Sequence, residues 1–308
     1  MSKLIPPRPR YRKERLWAGF PTLAVFALLL AARLLFQFTV IPADSLPPRL
    51  IATLSALFLP IVVFLVVRGR GYGSVLRLRM PRAAHASVLI TAFIALVCGT
   101  LLLSVLCGGL DTLGTTLTVF ASVRPKSLLH GTLLSLLSGV LPAILEELFF
   151  RGILVTEYER RGAVRAVLMS ALLFSLCHFD MANFPAYAFA GILLAIVVFA
   201  TDSLYAAMLL QIPYTVLLLL FGQYANTLYR ITGSIELFLF LLVLLLLLSL
   251  LILFRCAAKI YRLREQNGLP DPRRSVPYNV QLYTTLDALS DPPVVLCILL
   301  SVVGFIAL

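Results

Sequence analysis

The sequence predicts an all-α, polytopic transmembrane helical bundle of about eight to nine spans. Composition comes first. Of 308 residues, 60% are hydrophobic and 13% charged, where a soluble domain has roughly 45–50% and about 25%. The mean hydropathy is +0.99. The second observation is length, because most of the apolar runs approach the roughly 20 residues that cross a bilayer. The third is charge placement, because Lys and Arg gather between alternate runs.

Taken in order, a basic arm covers 1–16, the bundle 17–254, and a basic loop with a last apolar segment 255–308. The arm carries Lys3, Arg8, Arg10, Arg12, Lys13 and Arg15 among prolines. It is too basic, and the run after it too long, for a cleaved leader. Spans are expected at 17–41, 49–67 and 84–106. Arg33 lies inside the first, where a cation must snorkel or pair. The Gly/Thr-rich stretch 108–127 reads as an outside loop. A fourth span starts near Leu128. Its helical pattern runs on through Arg161, with Gly162 a natural C-cap. Further spans follow at 163–178, 184–200, 204–221 and 235–254. Asp202 or Ser203 is expected to cap the seventh. Residues 255–291 read as an inside loop. The final run, 293–308, is short for a straight span and reads as a tilted span or a re-entrant arm.

The formal net charge of +12 follows from topology, so no nucleic-acid partner is expected and the bilayer is the first partner. Cys98, Cys107, Cys177, Cys256 and Cys297 form no CxxC pair, which argues against a disulfide framework or a zinc cluster.

The chemistry-bearing stretch is Leu141–Gly152, which sets Glu146, Glu147 and Arg151 in an apolar helix. Such groups are costly in hydrocarbon unless they pair or face a wet cavity, and so mark a functional site. Glu147 and Arg151 stand at i,i+4 in the favourable order for an ion pair. Glu146 lies 16 residues before Gly162 and His178 lies 16 after it. At about 1.5 Å per residue both sit roughly 24 Å from that turn, hence at one depth. Gln211 and Thr215, four apart on the seventh span, share a face. A buried carboxylate can act as general base toward water, a histidine can position that water, and an amide can donate to an oxyanion. The same set could instead serve only to tie helices together. Zinc is not favoured, because two adjacent helical carboxylates rarely converge on one ion and Gln is a poor ligand.

Glu146-Glu147-x-x-x-Arg151, then Phe174-x-x-x-His178, then Asn183-Phe184 with Tyr187-Ala188-Phe189-Ala190-Gly191 resemble the CPBP group of intramembrane proteases. That group includes the CAAX prenyl endopeptidases of the Rce1 type and the bacterial self-immunity (Abi) proteins. The basic stretch Tyr72–Arg79 fits the same pattern, and the resemblance covers about 68–221. It implies a polar cavity within the membrane and hydrolysis of peptide bonds near a membrane anchor. Glu146 would activate water and His178 would be its catalytic partner, with Glu147 and Arg151 supporting, no cofactor, and a membrane-anchored peptide or protein as substrate. One departure stands out. The group's third motif, a His followed four residues later by Asn, falls here on Gln211 and Thr215. The alternative function is therefore a catalytically silent relative that binds a peptide or partner in the same cavity. A transporter is disfavoured, since no matched pair of Gly-interrupted helices is visible.

Orientation in the cell membrane follows from counting. With the amino terminus in the cytoplasm, the inside segments 1–15, 68–82, 151–165 and 255–290 hold 21 of the 26 basic residues. Outside segments hold only Arg49, Arg124, Lys126 and Arg230. Cysteines introduced into 1–15 or 255–290 are thus expected to resist impermeant thiol reagents in intact cells. Ready labelling of either segment from outside would invert the topology.

Overall fold

A computed structural model describes residues 18–38, 46–69, 75–108, 132, 135–221, 231–266 and 277–307. These fold into ten helices, and no strand occurs among the described residues. They are α1 (Gly19–Phe38), α2 (Leu46–Arg68), α3 (Ala86–Gly108), α4, α5 (Ala163–Leu176), α6 (Phe184–Thr201), α7 (Leu204–Phe221), α8 (Ile235–Gln266), α9 (Tyr278–Leu289) and α10 (Pro292–Ala307). Helix α4 is continuous from Ser135 to Arg161 but changes pitch. It is π-helical over Ser135–Val140 and Leu148–Leu154, α-helical over Leu141–Glu147 and Val155–Tyr158, and tightens to 3-10 over Glu159–Arg161.

Helix α6 is the central post, with 67% of its span buried, and α8 is peripheral, with 22%. Helices α5 and α3 pack on α6, α8 packs on α3, and α1 packs on α2 and α10. Leu241, Leu244, Leu247, Leu248 and Leu251 of α8 are all open to the surroundings. An exposed leucine face of this size would aggregate in water and is stable only with lipid as its solvent. The chain is a multi-pass membrane protein.

Without a hydrophobic drive between helices in lipid, association relies on close packing at small residues. Gly191 of α6 lets that helix lie against α5 so closely that a Cβ there would stand 2.8 Å from Ala171 Cα. At the α4–α5 corner Gly162 takes φ +123, which only glycine adopts without strain. Gln281 of α9 packs over it, and its Oε1 accepts from the Val164 N–H at 3.0 Å, capping the start of α5.

One end of the bundle is tied by ion pairs. Arg68 pairs with Glu157, and Arg77 with Glu159. Arg77 Nε also meets Asp202 Oδ1 at 2.9 Å. Ser203 donates to the Arg79 carbonyl, and the Leu204 N–H donates to the Arg77 carbonyl at 2.9 Å. Of the two expected caps for α7, Ser203 does the work, its Oγ accepting from the Ala206 N–H at 3.2 Å. Asp202 instead takes the left-handed conformation (φ 53) that ends α6. The segments after α2, α4 and α6 therefore meet at one end, as the alternation of basic and neutral connections requires.

Several expectations change. Five helices (α1, α2, α3, α6 and α8) are long and apolar enough to cross a membrane, or six if the pair α9–α10, bent by 64°, counts as one span. The expected eight to nine is not reached on that measure, because α5 has 14 residues, only Leu204–Leu219 of α7 counts toward it, and α4 alters its pitch. The stretch 255–291 is not simply a loop. Helix α8 continues to Gln266 because Leu253 and Ala257 stay buried and Ile260 stays packed on the core. Helix α9 follows, burying Gln281, Thr284, Thr285 and Ala288. Its packed face has helical spacing but polar residues, so hydropathy does not reveal it. The final run is α10, whose Pro293 touches Gly19 and whose Gly304 abuts Phe179. It therefore runs beside α1 from one end of the bundle to the other. The basic arm, all of the 108–127 loop after Gly108, and the start of the fourth span near Leu128 lie outside the described residues.

The Gly191 contact sets a stability test. Gly191→Leu is expected to destabilise the protein by about 1–3 kcal/mol, as overpacking against backbone does. Thermal unfolding in detergent, followed by loss of the monodisperse peak, checks it. An unchanged midpoint would show that α5 and α6 do not pack this closely.

Candidate functional site

The site forms where α4, α5 and α7 come together. Pro142 lies within α4, in the first turn of the Leu141–Glu147 piece just after the π-helical Ser135–Val140 stretch, and has no N–H to give the helical ladder. That piece carries Glu146 and Glu147. The π-helical piece after it carries Arg151, and π-bulges inside helices recur at functional sites. Its widened ladder is tied to the next helix by Ser170 of α5, whose Oγ donates to the Phe150 carbonyl at 2.9 Å.

Glu147 and Arg151 form the expected pair, at 2.7 Å with both side chains fully buried. Arg151 does not belong with the inside cations, as the charge count placed it, because the π-helical piece carries it within the bundle. Its guanidinium lies 4.2 Å from the Phe174 ring centroid. A desolvated cation over an aromatic face gains about 2 kcal/mol or more. Phe174 then meets Phe150 edge-on at 5.2 Å and the His178 ring at 4.8 Å.

Glu146 points elsewhere. Consecutive residues on a helix diverge by about 100°, so fixing Glu147 toward Arg151 turns Glu146 toward α7. There Gln211 Nε2 donates to Glu146 Oε2 at 3.2 Å. Thr215 shares the face of Gln211 but spends its hydroxyl on its own helix, donating to the Gln211 carbonyl at 2.8 Å. Gln211 Oε1 is buried and has no hydrogen-bond partner among the described residues.

His178 stands just beyond the end of α5. Its Nδ1 meets the Phe174 carbonyl at 2.7 Å. A carbonyl only accepts, so Nδ1 carries the proton and Nε2 keeps its lone pair. The ring stacks on Tyr187 at 3.9 Å with an interplanar angle of 19°. Glu146 and His178 make no hydrogen bond with each other. Glu146 bonds to Gln211, and His178 to Phe174 with a longer contact to Cys177 Sγ at 3.6 Å. The site residues thus make two sets of direct contacts: Glu146 with Gln211, and Glu147–Arg151–Phe174–His178. No group of three His, Cys, Asp or Glu side chains among the described residues has metal-holding geometry.

Two residues named in the sequence analysis take places at the site that it did not assign. Arg33 of α1 donates from Nη1 to the His178 carbonyl at 2.6 Å and lies 5.4 Å from the Phe179 ring centroid. A cation here answers the open carbonyls and the negative end of α5. Its charge was visible in the first span, but its partner lies 145 residues away. Tyr187 stood in the motif region without a role, and only the α5–α6 packing brings it onto the histidine. Phe179 itself holds φ 51, a strained value for a bulky residue. Phe26 edge-on at 6.1 Å and Gly304 close beneath keep it there.

Residues 127–217 match a protein-family model described as Rce1-like, type II CAAX prenyl endopeptidase Rce1-like. The matched segment contains Glu146, Glu147, Arg151, His178, Gln211 and Thr215. It agrees with the CPBP resemblance that the motifs carry. No curated protein and no solved structure matches the chain.

The buried ion pair makes a direct test. Glu147→Gln leaves Arg151 buried without its counter-charge, a loss expected to cost about 3–5 kcal/mol. The double variant E147Q/R151M is expected to recover a large part of that loss in detergent thermal unfolding. A single variant as stable as wild type would mean that the pair is not buried as described.

Proposed function

We propose that this membrane protein, Rce1-like over residues 127–217, is a CPBP-type intramembrane endopeptidase that cleaves peptide bonds near a membrane anchor. The amino terminus faces the cytoplasm and the bundle sits in the cell membrane. The observation that carries the reading is the division of labour between adjacent carboxylates. Glu147 is neutralised by Arg151, while Glu146 has one oxygen bonded to Gln211 and lone pairs to spare.

Glu146 takes a proton from water, and the hydroxide attacks the scissile carbonyl carbon. The carbonyl oxygen becomes an oxyanion, which a Gln211 N–H stabilises. Collapse of the intermediate breaks the C–N bond, and the proton held by Glu146 passes to the leaving amine. His178, its Nδ1–H committed to Phe174, offers Nε2 as acceptor to orient the water. Glu147 and Arg151 hold α4 in register rather than touch substrate.

The catalytically silent relative is the second reading, and Gln211 favours it. A glutamine stands where the family pattern has histidine, and its amide is engaged with Glu146. That protein would bind a membrane peptide in the same place, in an immunity or scaffolding role, without cleaving it.

Cleavage of membrane-anchored reporter peptides by protein reconstituted in liposomes separates the two. Glu146→Gln keeps volume and removes basicity, so activity is expected to fall by roughly 10²–10⁴-fold, as general-base loss does. Gln211→His, which restores the family residue, is expected to raise the rate. Full cellular function of Glu146→Gln at wild-type abundance would defeat the protease reading.

A further inference from the structure

Helix α8 is longer than a membrane needs. Its 32 residues span about 48 Å at 1.5 Å each, against a hydrocarbon core of about 30 Å. The excess has a distinct face. Leu244, Leu248 and Leu251 follow one another at helical spacing and are exposed. The same ridge continues as Arg255, Lys259 and Arg262, each exposed. On the opposite side Leu253 and Ala257 are buried and Ile260 packs on the core. The extension is therefore held to the bundle with its cations turned outward.

These cations differ from others at the same end. Arg68 and Arg77 are consumed by Glu157, Glu159 and Asp202. Arg255, Lys259 and Arg262 pair with no carboxylate among the described residues. The start of α8, at Phe238 and Leu242, packs on Cys98 and Val105 in the second half of α3. The two helices are thus antiparallel, and the basic stripe lies at the end where α3 begins.

We propose that Arg255, Lys259 and Arg262 form a binding stripe for the headgroups of anionic phospholipids in the leaflet at that end. Continuity of the ridge selects this occupant. The leucines meet acyl chains, and one turn above Leu251 the same face becomes cationic at headgroup level. Cationic stems of this length bend back toward the interface while their charged ends stay in it. A soluble anionic partner would not need the stripe to be in line with a lipid-facing ridge. The proposal is independent of the protease reading and stands or falls without it.

The test uses the full chain purified in mild detergent with mixed phosphatidylserine and phosphatidylcholine, and counts retained lipids by native mass spectrometry. Wild type is expected to retain phosphatidylserine preferentially. The triple variant R255Q/K259Q/R262Q should lose that preference, by roughly fivefold per cation removed. The charge-preserving variant R255K/K259R/R262K should keep it, which separates loss of charge from loss of fold. Unchanged preference in the triple variant would overturn the proposal. So would displacement of the lipid by an equal concentration of inorganic phosphate, which would mark a site for free anions.

Discussion

The Glu147–Arg151 pair is the constraint on which the site depends. Two charges placed in a helix surrounded by hydrocarbon persist only if each meets the other and both are sealed from lipid. The sealing is done by Phe174 beneath the guanidinium and by the phenylalanines around it. That fixes the rotation of α4 against α5. Rotation in turn fixes Glu146, since an adjacent residue cannot share the direction of Glu147. Glu146 is delivered to α7 and Gln211 as a consequence, and the chemically available carboxylate is selected by the unavailable one.

The bundle holds its two ends by different means. At one end, Arg68 at the close of α2 and Arg77 of the segment after it clasp carboxylates at the ends of α4 and α6. The other end has little charge to spend. There the strained Phe179 corner is gripped by α1 and α10, through Arg33, Phe26 and the close approach of Gly304. Both gripping helices lie outside the Rce1-like segment. That corner is therefore supported by parts of the chain that the family match does not include. A comparison restricted to residues 127–217 would include Phe174 and Tyr187, which hold the His178 ring, and miss Arg33, which holds its backbone carbonyl.

Much of the fold was legible because membrane solvent imposes simple rules. Leu204–Phe221 emerges with the bounds that its apolar run predicts, and Phe184–Thr201 differs by one residue. Where the expectation went wrong, polarity misled it. Helix α9 buries glutamine and threonines rather than leucines, and the end of α8 hides an alanine and an isoleucine beneath a basic face. A scale that measures lipid preference cannot see helices whose packed face meets protein.

The sequence alone determined the helical class, the clustering of cations, the Glu147–Arg151 pairing at i,i+4 and the departure at Gln211. These follow from composition and from distances along one helix, which local geometry converts into space. Only the tertiary structure decided which groups touch. It gave Gln211 to Glu146, committed Thr215 to its own backbone, and tied His178 to Phe174, Tyr187 and Arg33. Depth is set by residue count, but contact also needs the rotation of each helix about its axis. That rotation comes from packing at Gly191, the pitch changes in α4 and a buried ion pair, none of which a single helix can fix by itself.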